Sequence, residues 1–353
     1  MKLSLITAFV LIAVACSSSQ ADLETQSTAA DYLSENGLIL NYKNAKNPQY
    51  LSESLGLYMQ YLLGTGDYEG FRRQVDIFLE HFAVFKGDHK DDYLFLTGNP
   101  IQLVSDTNQL NGASTDAYLF VKWEIGENTT VGALIDDLRI AWVLHAAGLA
   151  LGDEYYIYLS DMIISTIKEF MIVDDRLVDF FDWHYNIAKD QLFLSYYIIE
   201  AMGEDVGDFP HYVFEPLEAL VADPFFDEIY ENGRFLTASE HEVNMIDQSL
   251  IAIAYFRHMG FVEPNFQRFL EDTLSIYGRV YARYDRHTAE PVNDNQSSAT
   301  YAFLLHYFEL TGQDERAAVV RALLEAMQTY DPETTHFFDF INRELGLRGL
   351  FAS

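Results

Sequence analysis

Asn244-Met245-Ile246-Asp247-Gln248-Ser249-Leu250-Ile251-Ala252-Ile253-Ala254-Tyr255-Phe256 decides the fold. Beyond its first turn the stretch is apolar all round, and a helix of that kind is a buried one. It runs to Met259-Gly260, and glycine suits a left-handed helix C-cap. A buried helix needs other helices around it. Working outward, apolar residues recur at spacings of three and four almost everywhere, and sustained alternation is scarce. Comparable stops occur at Leu63-Gly64-Thr65-Gly66-Asp67, Leu151-Gly152-Asp153, Met202-Gly203-Glu204 and Thr311-Gly312-Gln313-Asp314. The acidic or polar residue after each glycine suits the next N-cap. From Gly152 onward these marks lie roughly fifty residues apart, the length of one long helical hairpin. One hairpin cannot bury both faces, but about six closed into a ring can. The expected fold class is all-α, an (α/α)6 toroid or barrel of helical hairpins. An open solenoid is the alternative, since spacing alone does not show closure.

The chain has 353 residues, a length compatible with two domains or one barrel. Hydrophobic residues make up 49%, which excludes a disordered chain. With 54 acids against 22 bases the formal net charge is −32. Such a surface repels phosphate backbones, so no nucleic-acid partner is expected. It also disfavours docking on anionic lipid. A neutral sugar polymer or an amino sugar is compatible with it, as is a surface tuned simply for solubility.

The single cysteine bears on the compartment. Lys2 is followed by a mostly apolar run, Leu3 to Val14, too short to span a bilayer, and small residues Ala13 and Ala15 precede Cys16. The arrangement looks like a bacterial lipoprotein signal; an ordinary secretory signal is the alternative. The first reading makes residues 1–15 a signal peptide, Cys16 the lipidated residue and 16–30 a tether. Residues 31–353 then form one domain on the extracellular face of the membrane, held only by its lipid. The mature chain would carry no free thiol and no thiolate metal site.

Three carboxylate stretches stand out. In Tyr50-Leu51-Ser52-Glu53-Ser54-Leu55-Gly56-Leu57-Tyr58-Met59 one acid lies in an apolar, aromatic setting near a helix start. Desolvation there raises its pKa, as a general acid for a glycosidic oxygen requires. Gly56, on the same face, would leave room for substrate beside it. A helix-dipole role for Glu53 stays open. Asp247 opens the buried helix, either as an N-cap or as an acid at a central cleft. Asp136 and Asp137 open a third apolar run, Leu134 to Leu144, where capping plus an Asp–Arg pair is the plain reading. Irregular stretches are expected at 86–131, with a β-prone piece at Tyr118–Ile125, at 204–240 and at Tyr284–Asn295.

Taken together these stretches resemble glycoside hydrolase family 8. Ser52-Glu53-Ser54-Leu55-Gly56-Leu57-Tyr58-Met59 looks like the family's Ser-Glu-Gly-x-Gly-Tyr-Gly-Met, whose Glu is the general acid. Ala133-Leu134-Ile135-Asp136-Asp137-x-x-Ile140-Ala141 keeps the length of the signature Ala-Ser/Thr-Asp-Ala/Gly-Asp-x-x-Ile-Ala, with Trp123 ahead of it. Asp247 with Ile251 and Tyr255 is similar to the later Asp-Ala-x-Arg helix, whose Asp is the general base. The resemblance implies an (α/α)6 barrel that inverts the anomeric centre and cuts internal β-linkages in polysaccharides, without a cofactor. It points to a divergent lipoprotein branch similar to Gram-positive exopolysaccharide hydrolases. The departures are Ile135 for the first signature Asp, Ser54 and Leu57 for glycines, and Leu250 for the later Arg. They touch the sugar contacts more than the acid and base.

On this reading Glu53 protonates the leaving oxygen, Asp247 deprotonates the attacking water, and Asp137 with Asp136 holds the sugar at the cleavage point. Aromatic faces stack on pyranose rings, which makes Trp123, Trp183 and Tyr58 candidate platforms. Asp182 shares the loop Phe180-Phe181-Asp182-Trp183-His184-Tyr185, read either as cleft wall or as ordinary loop packing. Trp142 is expected in the core. No metal site is expected: the ten His are scattered, and Asp106-Thr107-Asn108 with Asn111 lacks a bidentate acid. A polysaccharide lyase or epimerase, or a glycan-binding protein without catalysis, are the competing functions. The expected state is a monomer.

Overall fold

The computed structural model describes residue 25 and residues 28–86, 118–327 and 331–351. The signal, Cys16, most of the tether and the Asp106 loop lie outside the described residues.

The chain folds mainly as helices in pairs. α1 (Ser52–Thr65) is followed by α2 (Tyr68–Ile77), and α3 (Leu134–Leu151) by α4 (Glu154–Phe170). After two short helices, α5 (Ile199–Met202) and α6 (Glu215–Glu218), come α7 (Met245–Met259) and α8 (Pro264–Tyr277). α9 (Ser298–Leu310), α10 (Asp314–Ala326) and α11 (Phe337–Arg348) complete the order. The glycines act as read: Gly152 and Gly260 close α3 and α7 at φ 65° and 76°, a backbone region that costs glycine nothing. Asp67 and Asp153 accept from Gly70 N at 2.8 Å and Tyr155 N at 3.1 Å, capping α2 and α4.

Packing sorts the helices into two layers. α1 packs on α3, α3 on α5 and on the 3-10 turn Leu194–Tyr196, and these on α7. α7 packs on α9, α9 on α11, and α11 back on α1. Nearly all of α9 is buried, from Ser298 to Phe308. α2, α4 and α10 lie against α1, α3 and α9 from outside. Of α10 only Ala317, Val320 and Leu324 are buried, so one stripe suffices for an outer helix. Two inner helices approach closely at Gly346, where an added Cβ would stand 2.9 Å from Ala302 Cβ.

The structure corrects the helical reading between α4 and Gly203, while 204–240 carries only short elements, in keeping with the irregular stretch expected there. No long hairpin occupies residues 171–244. Strands β3 (Ile172–Val173) to β9 (Arg234–Leu236) fill much of it as antiparallel ribbons, including β7 (Gln191–Phe193), β8 (Ile229–Glu231) and β9 in one three-stranded sheet. Gly203, placed as a hairpin mark, has φ −69° and ends only the four-residue α5. Pro210, Pro216 and Pro224 lack the N–H and the freedom that a long helix would need here. Elsewhere β1 (Ala83–Lys86) pairs with β2 (Tyr118–Val121), inside the expected β-prone piece. β10 (Glu242–Asn244), leading into α7, pairs with β11 (Arg283–Asp285).

Candidate active site

The inner helices bring carboxylates together at their first turns. Glu53 is the second residue of α1, Asp136 the third of α3, Asp247 the third of α7 and Asp339 the third of α11. Helix N-termini stabilise negative charge by ~0.3–1 kcal/mol. Burial outweighs that here. The Glu53 carboxyl is pushed up to about 7, first by desolvation, then by the charge of Asp136, against the pull of Arg139. Asp339 adds to the rise.

Asp136 itself is firmly held. Its Oδ2 accepts from Ser52 Oγ at 2.8 Å and its Oδ1 from Arg139 at 3.0 Å, all buried. Burial raises its pKa, while Arg139 and the Ser52 hydroxyl oppose the rise. These donors favour charge on Asp136, so the proton at neutral pH belongs on Glu53. The Asp–Arg pair of the plain reading is present, though buried rather than at the surface.

Asp247 is not the cap of α7: Asn244 is, accepting from Ile246 N at 3.1 Å. The Asp247 carboxyl is therefore unoccupied by capping. Burial raises its pKa, the neighbouring Glu228 raises it too, and Ser195 and Arg283 act against them. Glu228 is 2% exposed and anchored by Gln248 Nε2 at 2.9 Å, Ala238 N at 3.0 Å and the Arg286 guanidinium. Gln248 also exchanges bonds with the Phe226 main chain at 2.9 and 3.0 Å, which fixes the first turn of α7 beside the base candidate.

Tyr196 links the two sides. Burial pushes its phenol up, and Asp179, Asp136, Asp247 and Glu53 all push it further. One hydroxyl thus lies within electrostatic reach of both Glu53 and Asp247. It sits on the 3-10 turn after β7, fixed by Asp179, which accepts from Phe193 N at 2.6 Å and Gln191 Nε2 at 2.9 Å. Sequence reasoning missed Tyr196 and Asp339. A Tyr in a non-periodic stretch and an Asp in Phe337-Phe338-Asp339-Phe340 carry no signal of their own.

Other candidates fall elsewhere. Asp137 is buried and turned onto the Gly132 main chain; its pKa is raised well up by burial and by Asp136. Asp136, not Asp137, is the signature acid that bears on Glu53. Tyr58 is no platform: it is 8% exposed and packs against Tyr61 and Phe337. Trp183 stacks into the Phe120 cluster at 5.2 Å, as ordinary loop packing. Asp182 Oδ1 accepts from His184 N at 2.9 Å and Tyr185 N at 3.1 Å, so it builds a hairpin turn. Gly56 does not make room for substrate. An added Cβ would meet Ile140 and Arg139 at 3.2 and 3.3 Å, so its role is the close approach of α1 to α3. Trp123 remains exposed beside the start of α1, its carbonyl accepting from Ser52 N at 3.0 Å. Trp142 packs at the edge of the core as expected.

Comparison with known proteins bears on the family and the fold. No family model matches the chain. The crystal structure of PssZ from Listeria monocytogenes is similar over 94% of this chain and 95% of that one, with a TM-score of 0.80 and 37% identity. A curated relative, YdaJ of Bacillus subtilis, named as a lipoprotein, is 26% identical over 84% of this chain and 75% of its own length. A cold-adapted family 8 xylanase solved with substrate shares the fold at a TM-score of 0.63 and 10% identity, over 95% and 92% of the two chains. With its acid-bearing helix starts arranged in this order and its length matched almost throughout, the chain belongs to glycoside hydrolase family 8.

Proposed function

We propose that this protein is an endo-acting, inverting glycoside hydrolase that cuts an extracellular polysaccharide. Glu53 gives its proton to the leaving oxygen. Asp247 takes a proton from water attacking the opposite face of the anomeric carbon. A single displacement of this kind requires the two carboxyls ~6.5–9.5 Å apart, with water between. One observation carries the reading: Glu53 and Asp247 stand in the first turns of two inner helices, largely buried, and the charge of each raises the same Tyr196 phenol. That hydroxyl can hold the water between them. Asp136 keeps the acid protonated by its charge. The α11-on-α1 packing supports closure of the helices as an (α/α)6 toroid.

The lipoprotein name of the Bacillus relative supports lipidation at Cys16 and a place on the outer face of the membrane. Among the described residues no helix is long and apolar enough to cross a membrane. We take the enzyme to act as a monomer on a polymer substrate, without a cofactor.

The test is reducing-end release from β-glucan, xylan, chitosan and crude exopolysaccharide by wild type beside Glu53→Gln. Release by wild type alone, with products of inverted configuration by NMR, is the expected result. Net retention of configuration would overturn the mechanism, and silence on every polymer would overturn the hydrolase.

A further inference from the structure

Thr25 marks where the N-terminal tether joins the body. Its Oγ1 donates to Glu344 Oε2 at 3.1 Å and accepts from Arg348 Nη2 at 3.3 Å, both on the last turns of α11. Tyr32 stands at the other end of that helix. Its ring packs on Phe337 and Phe340 at 5.2 and 5.4 Å, and its Oη donates to Thr335 O at 3.0 Å. Main-chain bonds then stitch the 41–43 segment to the entry of α11: Phe337 N donates to Asn41 O and Lys43 N to Pro332 O, both at 2.8 Å. The N-terminal part of the chain thus meets α11 foot first, and whatever precedes Thr25 is joined to the body at that foot.

The foot of α11 lies at the pole opposite the carboxylates. α1, α3, α7 and α11 start at the candidate site and each ends at a left-handed glycine on the far side. We propose that this far pole faces the lipid bilayer and that the carboxylate cleft opens away from it, because the tether is too short to let the body turn over. The proposal rests on the reading of Cys16 as the lipidated residue. Cys16 and Thr25 are nine residues apart, a span of about 30 Å at full extension. A folded body of roughly 320 residues is about 50 Å across. Turning the cleft to the membrane would lift the foot of α11 by most of that width, beyond the full reach of the tether. With the foot down, no stretching is needed.

Charge does not choose the face. Asp67, Asp153 and Glu263 cap the outer helices at this pole, the other pole holds the carboxylate site, and the chain carries −32 overall. An anionic leaflet attracts neither end. The far pole does offer apolar contacts to a lipid surface. Leu149, in the last turn of α3, is 67% exposed, and Phe261, just past the glycine that closes α7, is 51% exposed. On the hydrolase reading, a cleft held in this way meets polymer standing off from the membrane by the height of the body, not chains at the lipid surface.

The test uses the full lipidated chain in vesicles of phosphatidylcholine with phosphatidylglycerol, carrying acceptor-labelled headgroups. With the Cys16 thiol acylated, a dye attaches only to an introduced thiol. Leu149→Cys places it at the foot of α3. Tyr185→Cys, at a side chain 69% exposed, places it on the β5–β6 hairpin beside the start of α3, where Trp183 N donates to Thr130 O. The two ends of that helix are about 27 Å apart. Energy transfer to the headgroups several-fold stronger from position 149 than from 185 is the expected result. Inserting about twenty Gly/Ser residues after Ser19 should level the two, since the longer tether spans the body. Equal transfer at the native tether length, or stronger transfer from 185, overturns the orientation while flotation with the vesicles keeps the anchor. A wild-type chain that fails to float, as Cys16→Ala should, overturns both. A difference that survives the insertion overturns the tether as its cause. None of these readouts depends on cleavage, so the hydrolase reading stands or falls separately.

Discussion

Replacing Glu53 by Gln should kill activity and stabilise the fold, and the stabilisation should depend on pH. Burial and the charge of Asp136 push the carboxyl up to about 7 in the folded protein, from about 4.5 in the unfolded chain. Ionising it in place therefore costs about 3 kcal/mol relative to the unfolded chain. Glu53 keeps a partly exposed edge, so about 1.5–3 kcal/mol is the working range. The pKa is raised on folding, so the folded state binds the proton more tightly. Its stabilising contribution is complete below pH 4.5, falls as pH rises and is gone above about 7. Gln carries no titrating group. The Tm of Glu53→Gln should therefore match wild type near pH 4.5 and exceed it by about 2–5 °C at pH 8, given ~2 cal/mol/K of unfolding entropy per residue. Differential scanning fluorimetry at pH 4.5, 6 and 8 measures this. Two Tm curves that run parallel across that range would refute a desolvated, proton-holding Glu53.

Further outcomes follow from neighbouring residues. The wild-type kcat/KM profile should be bell-shaped, falling above pH about 7 as Glu53 ionises and falling on the acid side at a pH above the ordinary Asp value. Asp247→Asn should lower kcat by roughly 10²–10⁴-fold with Tm little changed. Glu228→Gln should move the acid limb to lower pH, because the Glu228 charge raises Asp247, and should destabilise by about 3 kcal/mol through its broken pair with Arg286, read by urea unfolding. Gly346→Ala should cost about 1–3 kcal/mol, since the new methyl meets the Ala302 main chain at 3.0 Å and neither helix can yield there.

What the sequence revealed was what repeats. The capping glycines and the helix apolar on all sides around Ile251 are local signals, and they located most of the paired helices and the first turn on which Asp247 stands. Glu53 was legible as an acid among Leu and Tyr, because desolvation follows from neighbours in the chain. Tyr196, Asp339 and Glu228 were not legible. Each acquires its role from partners between 10 and nearly 300 residues away, on turns or helix starts without periodicity. Gly56 was misread because an absent side chain can admit a ligand or a neighbouring helix, and only the position of Ile140 decides between them. Trp183 and Asp182 stayed open between two readings for a related reason. Aromatic and acidic residues in a loop look the same whether they face a cleft or serve the loop's own turn.

The stitch between residues 41–43 and the entry of α11 has a kinetic side. The packing around α1 is assembled from segments nearly 300 residues apart: Phe337 N donates to Asn41 O and Lys43 N to Pro332 O, and Gln60 on α1 donates to Leu350 O, each at 2.8 Å. Contacts of such sequence separation form late, because a long loop must close before they gain anything. During synthesis the early part of the chain therefore waits, with the apolar flank of α1 uncovered, until α11 arrives. Slow refolding, with the α11-on-α1 contact as a late event, is the behaviour this topology imposes. Lesions at the start of α11 should be felt at Asn41, near the other end of the sequence.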